Sequence, residues 1–384
     1  MIYELLYPLR HSSQLLGWLN VLRYVPFRVI AATMTAMLIC FALSPWFIRE
    51  LQRKQIGQIV RDDGMIPEGH VKKRGTPTMG GALLLLAVLG STILWCDLRN
   101  VFVLAATAVT AGYGVIGYLD DYLKIRLKNS KGLPARYKLI GQFLVGGAVL
   151  TWVFTSKEHV PLDFWEIRDR LGVPFLAFQK HPIHVPMGIY IVFAVVTVVC
   201  MSNAVNFTDG LDGLAIGPVI FNAGTYLTWA YLSGATFGIA NVTQRFVVAR
   251  YLDIPYIPSA GELSVFLGAM VGAGIGFLWY NTYPAQVFMG DVGALALGGG
   301  LGTCAVFTKN ELLSIILGGI FFVEGLSVVT QVVSFKLTGK RVFLMAPIHH
   351  HYEKKGWPEP KIIVRFWIVS ILLALVSLSS LKLR

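Results

Sequence analysis

Long apolar runs alternate with short polar connections from one end of the chain to the other. Continuous apolar stretches lie at 29–47, 79–96, 101–119, 139–154, 187–205, 214–233, 263–280, 292–307, 312–335 and 362–381. Most approach the roughly 20 residues that an α-helix needs to cross the hydrocarbon of a bilayer. The runs do not alternate apolar with polar residues, so they predict helices rather than the strands of a barrel. The expected fold is an all-α integral membrane protein, a bundle of about ten transmembrane helices, with residues 1–384 forming one polytopic domain. Composition agrees: a chain that is 55% hydrophobic, 14% charged and of mean hydropathy +0.63 cannot hide its apolar side chains in one soluble core.

Charge settles how the bundle should sit. The formal net charge of +12 could suggest a nucleic-acid partner, but in a membrane chain Lys and Arg set orientation. With ten spans, one side collects residues 49–78, 120–138, 206–213, 281–291 and 336–361, which hold 19 Lys and Arg against 13 on the other side. The first group is expected in the cytoplasm and both termini on the outer side, with no nucleic acid involved. No cleavable signal peptide is expected, because Arg10, Arg23 and Arg28 precede the first run and no small-residue cleavage site follows a short apolar one. Cys40, Cys96, Cys200 and Cys304 lack metal-type spacing and read as buried thiols.

The polar motifs fall on one side. Asn203 to Gly213 reads Asn-Ala-Val-Asn-Phe-Thr-Asp-Gly-Leu-Asp-Gly, with Asp209 and Asp212 three apart and glycines that let backbone approach a ligand. Helix capping would explain such residues equally well. Lys72-Lys73-Arg74 precedes Gly75-Thr76-Pro77-Thr78 at a helix start, a setting suited to an anion or simply a positive-inside anchor. Asp120-Asp121 abut an apolar run and are followed by Lys124, Arg126, Lys128, Lys131, Arg136 and Lys138, which would attract phosphate or anionic headgroups. The connection 281–291 ends in Asp291 beside glycine, and Phe288 offers an aromatic face to a base. Glu324 and Gln331 interrupt a span, where a carboxylate should face the bundle interior. Ala346-Pro347-Ile348-His349-His350-His351 lacks zinc spacing and suits hydrogen bonding to phosphate or sugar. Gly268, Gly272 and Gly276, four apart, predict close helix packing rather than a nucleotide fingerprint. Acids at 120, 121, 209, 212 and 291, a basic triplet and a His triplet on one leaflet are the composition expected for metal-assisted phosphoryl transfer.

Taken together, residues 75–81, Asp120-Asp121, 203–213, 281–291 and 346–351 resemble the bacterial phospho-N-acetylmuramoyl-pentapeptide transferases over essentially the whole chain. The Asp pair and the 203–213 stretch are shared with the wider polyprenyl-phosphate sugar-1-phosphate transferases, and Ala294 stands where Ser would be expected. The resemblance implies transfer of phospho-MurNAc-pentapeptide from its UDP carrier to undecaprenyl phosphate, giving lipid I and UMP with Mg2+. It implies a bacterial inner-membrane protein with ten spans, periplasmic termini, a kinked ninth helix and often a dimer. By motif, Asp291 would be the principal Mg2+ ligand, with Asp120 and Asp121 at the lipid-phosphate end. Lys73 and Thr78 would steady the diphosphate. Asn203, Asn206, Asp209, Asp212, Asn281, Phe288 and Gln331 would line the nucleotide and sugar pocket, and His349, His350 and His351 would hold polar groups of the substrate. The rivals are a GlcNAc-1-phosphate transferase on the same lipid and, from another class, a secondary transporter. A transporter would carry ionisable groups at mid-membrane depth and internal repeats.

Overall fold

A computed structural model describes residues 2–11, 14–54, 75–127, 132–238 and 245–383. Every predicted apolar run coincides with a helix. We label the long helices α1 (Val25–Arg53), α2 (Gly81–Trp95), α3 (Val101–Arg126), α4 (Ala135–Thr155), α5 (Met187–Thr208), α6 (Ile216–Gly234), α7 (Leu263–Asn281), α8 (Gly290–Phe307), α9 (Gly319–Thr338), α10 (Ile348–Lys354) and α11 (Glu359–Ser379). Eight stretches are long and apolar enough to cross a membrane: α1, α3, α4, α5, α8, α9, α11, and α7 with the turn before it. The other two predicted spans are α2, of 15 residues, and α6, of 19. The ninth span is broken at Gly318, between a short helix Leu313–Leu317 and α9.

Helix α8 is the axis of the bundle. Val292 to Phe307 are all buried, which requires a helix apolar on every side and suits its glycine-rich sequence. It packs on α3 and α5, while α7 packs on α1 and α6. The 268/272/276 glycine stripe does what its spacing predicted: a Cβ at Gly272 would lie 2.0 Å from the Thr33 carbonyl oxygen of α1, and Gly268 and Gly276 face Val29 and Met37 one turn to either side. A larger residue there would push the two backbones apart.

The ends of the bundle differ in chemistry. At one end Arg28 pairs with Glu262, the Nη2–Oε2 contact being 2.9 Å, and Glu262 also accepts the Asp97 N–H at 2.7 Å. The same end carries residues 155–186, with an antiparallel pair of strands Arg170–Leu171 and Ile183–His184, and a second pair, Thr236–Gly238 with Arg245–Val247. Beneath the first pair Lys309 is buried over an aromatic cluster of Phe154, Phe164 and Tyr190. Its ammonium donates to the Arg168 carbonyl at 2.7 Å and to Tyr190 Oη at 2.9 Å, and Tyr190 donates in turn to Glu311. The opposite end carries the acids, amides and histidines singled out by sequence; α1 begins and α11 ends at the end away from them, where Arg28 meets Glu262 and Lys382 donates to the Tyr251 carbonyl at 3.4 Å.

Candidate active site

Two close approaches assemble the acidic centre. Asp120 and Asp121 lie on the last turns of α3, where the helix leaves its apolar run, and Asp291 opens α8. At Gly117, one turn before Asp121, a Cβ would sit 2.3 Å from the Asp291 carbonyl oxygen, so only glycine lets α3 come near enough to α8. Gly290 has φ +71°, a left-handed conformation that turns the chain into α8, and a Cβ there would meet Asp121 Oδ2 at 2.6 Å and Thr78 Oγ1 at 3.1 Å. Oxygens of Asp120, Asp121 and Asp291 consequently lie within 4.8 Å of one another.

Such a cluster of carboxylates in a largely buried setting demands counter-charge. Lys124, one turn beyond Asp120, reaches 2.5 Å from Asp120 Oδ2, 2.9 Å from Asp291 Oδ2 and 3.5 Å from Asp121 Oδ1. Lys138, at the start of α4, lies 2.8 Å from Asp291 Oδ2 and 3.4 Å from Asp120 Oδ2. Backbone donors complete the frame: Leu133 N–H to Asp120 Oδ1 at 2.8 Å and Val292 N–H to Asp121 Oδ2 at 3.3 Å. Asp120 Oδ2 is buried and has the Lys124 and Lys138 ammoniums as its counter-charge. Three hard carboxylate oxygen donors from two helices, within 4.8 Å of one another, fit a hard divalent cation such as Mg2+.

The remaining sequence candidates surround this centre. Asp209, just past α5, receives a hydrogen bond from the Gly290 backbone, and burial together with the charges of Asp291 and Asp121 pushes its carboxyl up to about 8. Thr78 joins the same corner because residues 77–81 are laced to residues 288–289: Phe288 N–H donates to the Pro77 carbonyl at 2.9 Å, and Gly80 and Gly81 N–H groups donate to the Phe288 and Met289 carbonyls, each at 2.8 Å. Phe288 is half-buried there. Lys73 lies outside the described residues.

Some of the predicted amides and acids make bonds within the protein. Asp212 is buried and its Oδ2 accepts the Ala285 N–H at 2.9 Å, while its own N–H donates to Glu359 at 3.0 Å. Asn281 Oδ1 accepts from Gly213 N–H at 3.1 Å and its Nδ2 donates to the Val287 carbonyl at 2.8 Å. These two residues hold the 209–213 and 281–291 connections together. Asn203 donates to Gln142 Oε1 at 2.7 Å, and Gln142 donates to Ser202 at 3.1 Å, joining α4 to α5 below the acids. Asn206, half-buried on the last turn of α5, offers its carbonyl to Asp209 N–H at 3.3 Å.

The histidine turn closes the site from a third direction. His349 is buried, with Nδ1 3.1 Å from Glu324 Oε2 of α9, and its Nε2 points at Gly210, where a Cβ would lie only 2.2 Å away. His350 Nδ1 lies 2.6 Å from Glu353 Oε2, and its ring centre is 4.1 Å from that of His349. His351 Nδ1 accepts the Leu344 N–H at 3.1 Å. Gln331 accepts from Val342 and Phe343 N–H groups at 3.1 and 2.9 Å and so fastens the preceding loop to α9.

All five connections on this face therefore meet. Sequence reasoning missed the individual roles of Lys124, Lys138, Gln142 and Glu359. Lys124 carried a signal, standing three and four residues after the paired acids, whereas the other three depend on which helices become neighbours.

Comparison with known proteins identifies the family. The description glycosyl transferase family 4 matches residues 103–309, the stretch from α3 to just past α8. The phospho-N-acetylmuramoyl-pentapeptide-transferase of Sorangium cellulosum (strain So ce56) is 71% identical over 384 residues, covering all of both chains. The proteins of the same name from Geobacter sp. (strain M21) and Anaeromyxobacter sp. (strain K) are 52% and 53% identical, again over the full length of both chains. With a multi-pass helical bundle, five polar connections gathered on one face and these full-length relatives, the chain belongs to the phospho-N-acetylmuramoyl-pentapeptide transferases, a membrane-embedded branch of glycosyl transferase family 4.

Proposed function

We propose that the protein transfers phospho-MurNAc-pentapeptide from UDP-MurNAc-pentapeptide to undecaprenyl phosphate, with the site face turned to the cytoplasm and both termini to the periplasm. The observation that carries this reading is the meeting of Asp120, Asp121 and Asp291 with Lys124 and Lys138 at the end of a buried bundle. In the step, an oxygen of the lipid phosphate attacks the sugar-linked phosphorus, the bond from that phosphorus to the bridging oxygen breaks, and UMP leaves with the bond's electron pair. The attacking phosphomonoester has a second pKa near about 6, so it is largely dianionic at neutral pH and needs no protein base. Mg2+, when bound by Asp291, Asp120 and Asp121, supplies positive charge to the crowded phosphate oxygens. Lys138 adds positive charge beside the carboxylates, Lys73 supplies a further positive charge, and Thr78 steadies the diphosphate from the adjoining turn. Asn206, Asp209 and Phe288 line the nucleotide side, Asn203, Asp212, Asn281 and Gln331 keep its walls in register, and His349, His350 and His351 close over the donor. Positioning of two anions in line is the main contribution asked of the protein.

The test is incubation of purified protein with UDP-MurNAc-pentapeptide, undecaprenyl phosphate and Mg2+. UMP release with lipid I formation is expected, and it should vanish with EDTA and return with added Mg2+. UMP release from UDP-GlcNAc in place of the muramoyl donor would overturn the substrate assignment in favour of the sister transferase. A transporter is disfavoured by the position of Asp120, Asp121 and Asp291 at helix ends rather than mid-span.

A further inference from the structure

The position of Lys124 has a second meaning, which rests on the metal-site reading above. Its ammonium stands 2.5, 2.9 and 3.5 Å from one oxygen each of Asp120, Asp291 and Asp121, so it occupies the point on which all three carboxylates converge. A Mg2+ ion bonds oxygen at about 2.0–2.1 Å in a near-octahedral shell. An ammonium and a divalent ion cannot share that point, because two cations a few Å apart repel and the same oxygens cannot close on both. The side chain has a way out: Lys124 is 33% exposed, against 1% for Asp120 and 4% for Asp121. Lys138 is less exposed, at 15%, and contacts two of the carboxylates rather than three.

We propose that Lys124 is a resident counter-ion that competes with the divalent metal for the three carboxylates. It holds the acids together before metal enters, swings outward as metal binds, and thereby sets the metal affinity. Removing its charge should tighten metal binding even though the residue lies inside the site, the opposite of what loss of an ordinary supporting residue would do.

The experiment is Mn2+ binding to purified protein in detergent, read from the electron paramagnetic resonance signal of free Mn2+, alongside thermal unfolding with and without Mn2+. Lys124→Met should bind Mn2+ about tenfold more tightly than wild type, the size expected for removing one nearby positive charge from a partly screened site. Lys124→Arg should stay close to wild type, and Lys138→Met should tighten binding less than Lys124→Met. Lys124→Met should also unfold at a lower temperature without metal and gain more from Mn2+ than wild type does. Binding by Lys124→Met that is unchanged or weaker, with wild-type Mn2+ binding intact, overturns the counter-ion role alone. Absence of Mn2+ binding in wild type and in every lysine variant overturns the metal-site reading and this proposal with it.

Discussion

Single residues at the site differ in whether they serve the chemistry or the frame, and substitutions should separate the two. Asp291→Asn keeps the shape and removes one carboxylate of the proposed metal site; turnover, measured as UMP release, should fall by roughly 10²–10³ or more while the unfolding midpoint changes little. Glu324→Leu leaves the buried His349 Nδ1 without its 3.1 Å partner and should lower stability by about 1–3 kcal/mol, read as a drop in unfolding midpoint. Lys309, far from the acids, makes a pH prediction. Burial pushes its ammonium down from 10.5 to about 8, so the folded state resists the charged form. Its contribution is fully favourable above pH 10.5 and is lost as pH falls through about 8, and that part of the stability should rise between those values. Glu311, raised by burial, acts in the other sense as pH rises from the acid side. Lys309→Met should abolish the alkaline rise in unfolding midpoints followed from pH 7 to 11. At this scale the sequence was legible where chemistry is local: the acid pair, Asp291 and the histidines announced themselves. Gln142, Glu359 and the Glu324–His349 pairing did not, because each partner lies 25 to 147 residues away and only the packed bundle brings them together.

Helices were the easiest level to anticipate, since a continuous apolar run of this length has little alternative but to form one. The glycine stripe of α7 was equally legible, while the glycine at 117 was not, as its purpose appears only when α3 meets α8. Gly117→Val should therefore damage both stability and turnover, because a side chain 2.3 Å from the Asp291 backbone must drive Asp120 and Asp121 away from Asp291. Gly147→Val in α4, where a Cβ meets nothing within 4 Å, should leave both nearly unchanged. The connections away from the acids were read only as polar and aromatic; their short strand pairs, Arg170–Leu171 with Ile183–His184 and Thr236–Gly238 with Arg245–Val247, are too brief to leave a period in the sequence.

For the whole molecule, the sorting of acids, amides and histidines to one end was visible from the alternation of spans, although the order in which helices neighbour one another was not. Helix α2 adds a property that neither composition nor motif suggests. Its 15 residues extend about 22 Å, well short of the roughly 30 Å of hydrocarbon that a bilayer presents. It leads directly from the turn bearing Thr78, so one of its two ends lies beside the acids. A span this short is accommodated by local thinning of the bilayer or by its flanking turns, and thinning at the Thr78 end would bring a phosphate head carried by a long isoprenoid down to its reaction partner without lifting it out of the lipid surface.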